Sequence, residues 1–175
     1  MIQLHDKHFV PYLTAAEIDR IIAQMAEDIE IEMNGEVPVF IGVLNGAFMF
    51  VSDLMKHYKK PCEVTFVKLA SYKGTESTNE VKQLIGLDRN LEGRTVIVAE
   101  DIVDTGNTIE MLKKMFEDLK VKQLKIAALF FKPEAYTKSI ELDYTGFNIP
   151  NKFIVGYGLD YNGLGRNLPE IYQLK

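Results

Sequence analysis

Apolar residues along the chain fall into two periods, one helical and one extended. Ile18, Ile21, Ile22, Met25 and Ile29 share a stripe at helical spacing. Thr14 precedes the stripe with Glu17 three residues on, the pattern of a capping box, and Asn34-Gly35 supplies a stop. The spacing therefore predicts a helix over 14–33. Residues 37–44 form a nearly unbroken apolar run and read as a buried strand. Residues 47–58 start apolar and end basic, which predicts a second helix. Strands follow at 63–69, 96–100 and 124–131, with a short one at 152–156, while 81–87 reads as an extended arm. Residues 71–79 are rich in Ser, Thr and Gly and read as a loop. A third helix is predicted over 109–119, with Ile109, Leu112, Met115, Phe116 and Leu119 facing inward. Buried strands alternating with helices indicate a doubly wound α/β domain with a mainly parallel sheet. No repeat or linker divides the chain, so residues 1–175 are treated as one domain. Ligands of such sheets bind at the carboxyl ends of the strands.

Composition narrows the function classes. The 175 residues are 47% hydrophobic and 26% charged, which is ordinary for a folded globular domain. The net charge of −5 does not suggest a nucleic-acid partner. Cys62 is the only cysteine, so no internal disulfide can form, and a reducing cytoplasmic setting is expected. Its strand-like surroundings favour a small buried hydrophobe over a nucleophile. The first eight residues are polar, unlike a signal peptide, and no apolar run approaches the roughly 20 residues of a membrane span. His5, His8 and His57 share no metal-ligand spacing and read as surface or cap residues.

The chemistry concentrates in VIVAEDIVDTGNT, residues 96–108. A hydrophobic strand leads into Glu100 and Asp101, two apolar residues and Asp104. Thr105, Gly106, Asn107 and Thr108 follow, before the third helix. Free N–H groups at a helix start attract phosphate, and Gly106 allows close backbone approach. Carboxylates at a strand end accept hydrogen bonds from sugar hydroxyls and suit hard cations. An ordinary turn decorated with surface acids explains the stretch less well, because three acids so placed repel one another without a cation or hydroxyl partner.

This stretch resembles the 5-phosphoribosyl-1-pyrophosphate (PRPP) motif of the phosphoribosyltransferases. Three further segments are similar to the hypoxanthine-guanine branch of that family. Leu44-Asn45-Gly46-Ala47 resembles its pyrophosphate loop, with Asn45 where a Lys is common. Residues 71–78 resemble its closing loop, which carries a Ser-Tyr pair, here Ser71 and Tyr72. Lys68 keeps a family basic position and Ala70 replaces a frequent Lys. Lys132 at a strand end, the run from Phe147 to Asn162, and Arg166 resemble its purine-binding segment.

The resemblance implies a type I phosphoribosyltransferase fold with a small hood formed by the chain ends. It implies transfer of the phosphoribosyl group of PRPP to N9 of a 6-oxopurine. Glu100, Asp101, Asp104 and residues 105–108 would bind PRPP, with Asp104 as the catalytic base. Asn45, Gly46 and Arg166 would meet pyrophosphate. Lys132, Phe153, Ile154 and Asp160 would serve the purine site. Glu100, Asp101 and Asp160 would hold Mg²⁺, and a homodimer or homotetramer is expected. Alternatives are an enzyme for another base, a PRPP-sensing regulator that binds nucleic acid, and a phosphoacceptor signalling domain. A basic face would favour the regulator, and the signalling domain leaves the C-terminal run unexplained.

Overall fold

Five parallel strands and one antiparallel edge strand form the main sheet of the computed structural model, which describes residues 1–70, 82–85, 87 and 89–175. In chain order the elements are β1 (Ile2–Leu4), β2 (Lys7–Leu13), α1 (Ala15–Met33), β3 (Val39–Leu44), α2 (Phe48–His57), β4 (Glu63–Ala70), β5 (Lys82–Ile85), β6 (Thr95–Val103), α3 (Asn107–Asp118), β7 (Gln123–Phe131), β8 (Tyr144–Asn148), β9 (Ile154–Val155) and β10 (Ile171–Leu174). The large sheet has the order β5-β4-β3-β6-β7-β8, and β1-β2-β10-β9 form a second, antiparallel sheet. The second sheet is built from the two chain ends. Among the described residues no helix is long and apolar enough to cross a membrane.

Period-2 alternation divides the central strands between two cores. Phe40, Ile97 and Ala99 pack with the buried stripe of α1 and with Phe50, Val51 and Leu54 of α2. Val39, Ile41, Val96 and Val98 face the other way, onto Ile109, Leu112 and Phe116 of α3. Because helices cover both faces, these strands read as continuous apolar runs. Thr14 caps α1 as the sequence predicts, with Glu17 returning the bond to the Thr14 N–H at 2.8 Å. Asn34 ends it in the left-handed region at φ 44°. Such a cap contributes about 1 kcal/mol.

Several expectations need correction. β6 runs to Val103 rather than stopping at Glu100, because Ile102 and Val103 continue to pair with Phe130 and Phe131. α3 starts at Asn107, with Gly106 as N-cap, so Asn107 and Thr108 form its first turn. Leu119 lies past the end of α3 and is 40% exposed rather than inward. The expected strand at 152–156 shortens to β9, although the Phe153 carbonyl still accepts from the Leu174 N–H at 2.9 Å. β1, β2, β8 and β10 have no counterpart in the periodicity. His57 lies partly exposed in the last turn of α2, in keeping with a surface or cap residue, and its Nε2 lies 2.7 Å from Asp19 Oδ1 of α1. The predicted loop at 71–79, with Ser71 and Tyr72, lies outside the described residues.

Candidate active site

The carboxyl ends of β3, β6 and β7 meet the hood around a cavity of about 370 Å³. Leu44, Asn45, Gly46, Glu100, Asp101, Asp104, Lys132, Phe153, Ile154, Asp160 and Arg166 all line it, together with Val43, Ile102 and Leu159. A smaller cavity of about 90 Å³ adjoins it and is bounded by Glu100, Asp104 and residues 105–109. Glu100, Ile102 and Asp104 border both, so the two spaces lie side by side. The described residues expected to act together are thus brought together. Val43, Ile102 and Leu159 were not singled out beforehand, because apolar residues at strand ends carry no mark distinguishing lining from core.

The smaller cavity is a helix N-terminus with its cap stripped of side chain. Gly106 sits at φ 85°, and a Cβ there would lie 2.4 Å from Tyr136 Cε2. Glycine is therefore required both by conformation and by space. The segment after β7 holds this turn, since Thr137 donates its N–H and its hydroxyl to the Thr105 carbonyl at 3.3 and 3.1 Å. The free N–H groups at the start of α3 face a region suited to an anion.

Three chain segments converge at Gly46. A Cβ on Gly46 would fall 1.4 Å from Asp101 Oδ2. Gly158 of the hood, at φ 96°, packs so that its own Cβ would fall 2.0 Å from the Gly46 carbonyl oxygen. The loop after β3 therefore presses its backbone against the Asp101 carboxylate of β6 on one side and against the hood backbone at Gly158 on the other. The Leu44–Asn45 peptide bond is cis, and the Asn45 side chain is exposed at the rim.

Charge in the cavity is partly paired. Lys132 is 7% exposed, and its Nζ lies 3.1 Å from Asp104 Oδ2. Asp160 Oδ1 lies 2.6 Å from Arg166 Nη2, Asp160 Oδ2 accepts from the Gly163 N–H, and Arg166 Nη1 donates to the Gly158 carbonyl. Glu100 is the exception. It is buried at 7% exposure, and among the described residues its Oε2 has no hydrogen-bond partner. Burial, and then the neighbouring Asp101, push its carboxyl well above the ordinary range. Burial also lifts Asp101 to about 6, against the N–H groups of Ile102 and Asp101 itself and the Arg166 charge, which lower it. Among the described residues no three His, Cys, Asp or Glu side chains form a ready-made metal cage. Phe153 is 44% exposed, buried on one side by Phe9 and Tyr161 and open to the cavity on the other.

These acids give stability a defined pH slope. Between pH 4 and 6 the folded chain holds the Asp101 proton that the unfolded chain has already released, so stability falls as pH rises. The lift from 3.8 to about 6 corresponds to at most about 3 kcal/mol. Asp101→Asn should remove the Asp101 share of this slope and leave the Glu100 share. Melting curves of the metal-free protein from pH 4 to 7 check it; equal slopes for wild type and variant would contradict the assignment.

Comparison with known proteins agrees with this geometry. The phosphoribosyl transferase domain family matches residues 12–162. A hypoxanthine-guanine phosphoribosyltransferase of Streptococcus pyogenes is 45% identical over 160 residues, covering 91% of this chain and 89% of that one. A Bacillus anthracis hypoxanthine-guanine phosphoribosyltransferase crystal structure superposes with a TM-score of 0.89 at 38% identity, over 97% of this chain and 98% of that one. A Trypanosoma cruzi hypoxanthine phosphoribosyl transferase, studied for the effect of its C-terminal region on oligomeric state and activity, gives 0.89 at 31% identity, over 99% of this chain and 95% of that one. The chain belongs to the phosphoribosyltransferase family. Within it, the chain falls among the hypoxanthine-guanine phosphoribosyltransferases, enzymes of purine salvage.

Proposed function

We propose that the chain transfers the 5-phosphoribosyl group of PRPP to N9 of hypoxanthine and guanine, with release of pyrophosphate, and that its site residues divide this work as follows. The observation that carries the division is the pair of adjoining cavities, with a helix start suited to an anion in one and a buried lysine and an open aromatic face in the other. Residues 105–108 cradle the 5-phosphate with N–H groups and hydroxyls. Glu100 and Asp101 orient the ribose hydroxyls. Arg166, Gly46 and Asn45 face the leaving pyrophosphate, Asn45 without the charge that a lysine would bring. Phe153 stacks on the purine, the Ile154 backbone meets its edge, and Lys132 donates to the 6-oxo group. Asp104 takes or shares the purine proton, with Lys132 held beside it.

The residues fit Mg²⁺. Glu100 offers a buried carboxylate oxygen without a partner among the described residues, and a cation beside it would relieve the cost of ionising the adjacent acids. Mg²⁺ is commonly held by one or two carboxylates together with substrate oxygens, which suits a site with no closed cage. Glu100 and Asp101 would hold one ion and Asp160 a second. When bound, the metal supplies charge neutralisation to the pyrophosphate as it leaves. The protein itself places the reactants and excludes alternatives, since the sugar carbon gains cationic character with little covalent help. A cytoplasmic homodimer or homotetramer belongs to the same proposal.

Steady-state kinetics with PRPP, Mg²⁺ and each of hypoxanthine, guanine, xanthine and adenine test the substrate class. Hypoxanthine and guanine should turn over, and adenine should not do so measurably. Comparable kcat/KM for adenine would overturn the base assignment.

A further inference from the structure

The N-terminal hairpin, which contributes no residue to the cavity lining, lies against the back of the base platform. The rings of Phe9, Phe153, Tyr161 and His5 form one cluster with Tyr161 at its centre. Tyr161 meets the Phe153 ring edge to face at a centroid distance of 5.8 Å and 80°. It also lies 6.1 Å from the Phe9 ring and 5.7 Å from the His5 ring. Phe9 is fully buried and touches Phe153 at 6.3 Å. The Tyr161 hydroxyl donates to Asp6 Oδ1 at 2.8 Å, and His5 Nε2 lies 3.2 Å from the Asn162 carbonyl oxygen. Asp6 and His5 form the turn between β1 and β2.

We propose that Tyr161 is a positioning residue for the purine. It holds the Phe153 ring in the orientation that leaves one face open to the base, with the β1–β2 hairpin as its buttress. The inference rests on Phe153 being the purine platform.

The physical argument is one of restraint. Phe153 is 44% exposed, so cavity-side contacts cannot fix its rotamer in the empty protein. What fixes it is the wall behind. Phe9 supplies the floor of that wall, and Tyr161 supplies the edge, in the arrangement that aromatic pairs prefer. Tyr161 is itself pinned at three points: the hydroxyl to Asp6, its N–H to the Leu164 carbonyl at 2.8 Å, and its ring against Phe9. A platform already held in place binds its partner without spending binding free energy on ordering the ring. Loss of Tyr161 should therefore weaken affinity for the base and leave the phosphate end untouched.

The test is a double-mutant cycle read as separate KM values for hypoxanthine and PRPP. Phe153→Leu first tests the platform: its KM for hypoxanthine should rise about 10-fold or more. An unchanged value would reject Phe153 as the platform, which is a failure of the site reading and is recognised without reference to Tyr161. Tyr161→Leu should raise the KM for hypoxanthine about 5–20-fold, with the PRPP KM within twofold of wild type. Tyr161→Phe, which keeps the ring and loses only the bond to Asp6, should recover most of that loss. Tyr161→Leu added to Phe153→Leu should cost little more than Phe153→Leu alone. Three outcomes would overturn the proposal: full additivity in the double variant, an equal rise in both KM values, or a Tyr161→Leu variant with unchanged affinity for hypoxanthine. The first two would assign Tyr161 to general support of the loop that carries Asp160.

Discussion

Asp104→Asn should lower kcat by about 10²–10⁴-fold, the range expected for loss of a general base. Asp104 follows the end of β6, half-buried, and borders both cavities. It is therefore positioned between the helix start that suits the 5-phosphate and the lysine and aromatic ring that suit the base. An amide of the same shape keeps the packing and some hydrogen bonding but can neither accept the purine proton nor offset positive charge on the base. The KM for PRPP should change only a few-fold, because residues 105–108 and the acids of β6 remain. The substitution also leaves Lys132 buried without its carboxylate at 3.1 Å, so a lower melting temperature is expected alongside. Rapid-quench kinetics with hypoxanthine separate the chemical step from product release. A fall of less than threefold, with the pH profile of kcat unchanged, would assign Asp104 to a structural role.

Lys132→Ala should raise the KM for hypoxanthine by about 10–100-fold, the equivalent of the roughly 1.5–3 kcal/mol carried by a hydrogen bond to a charged group. The 7%-exposed Lys132 has few donors left for solvent and is paired with Asp104 in the cavity. A purine 6-oxo group gives it a second acceptor. The 6-amino group of adenine offers only donors, so a complex with adenine would desolvate the Lys132 ammonium without giving it that second acceptor. The PRPP KM should stay within about threefold, since the contact is to the base. Some fall in kcat is also expected, as Asp104 loses its cation. Lys132→Gln, which keeps a donor of shorter reach, should lie between the two. If the alanine variant binds hypoxanthine as tightly as wild type, the lysine does not read the base.

The parts of this account legible in the sequence are those written in contiguous residues. The capping box of α1, the apolar runs of β3, β6 and β7, and the order of acids, threonines and glycine in residues 96–108 all act locally, and the structure keeps them. Most of the hood was beyond periodicity, with only β9 foreshadowed by the strand expected at 152–156. β2 contains Pro11 and exposed His8, β9 has two residues, and β10 pairs with β2 across nearly the whole chain, as with Ile171 opposite Leu13. Such strands are specified by partners, not by their own pattern. The site shows the same division. Each of Asp104, Lys132, Asp160 and Arg166 was visible as a residue, but the ion pairs that join them are not. The press of Gly46 on Asp101, and of Gly158 on Gly46, likewise exists only once three separate segments meet. Tyr161 was legible merely as part of the C-terminal run. Its place behind Phe153 depends on a hairpin at the other end of the chain.

The most direct measurement is product identification. The purified chain is incubated with PRPP, hypoxanthine and Mg²⁺, and the mixture is followed by ³¹P NMR and mass spectrometry. The account predicts IMP and pyrophosphate in equal amounts, with hypoxanthine joined through N9 and no product when ribose 5-phosphate replaces PRPP. Hydrolysis of PRPP without a nucleotide product, or no consumption of PRPP by an enzyme shown to be folded, would contradict it.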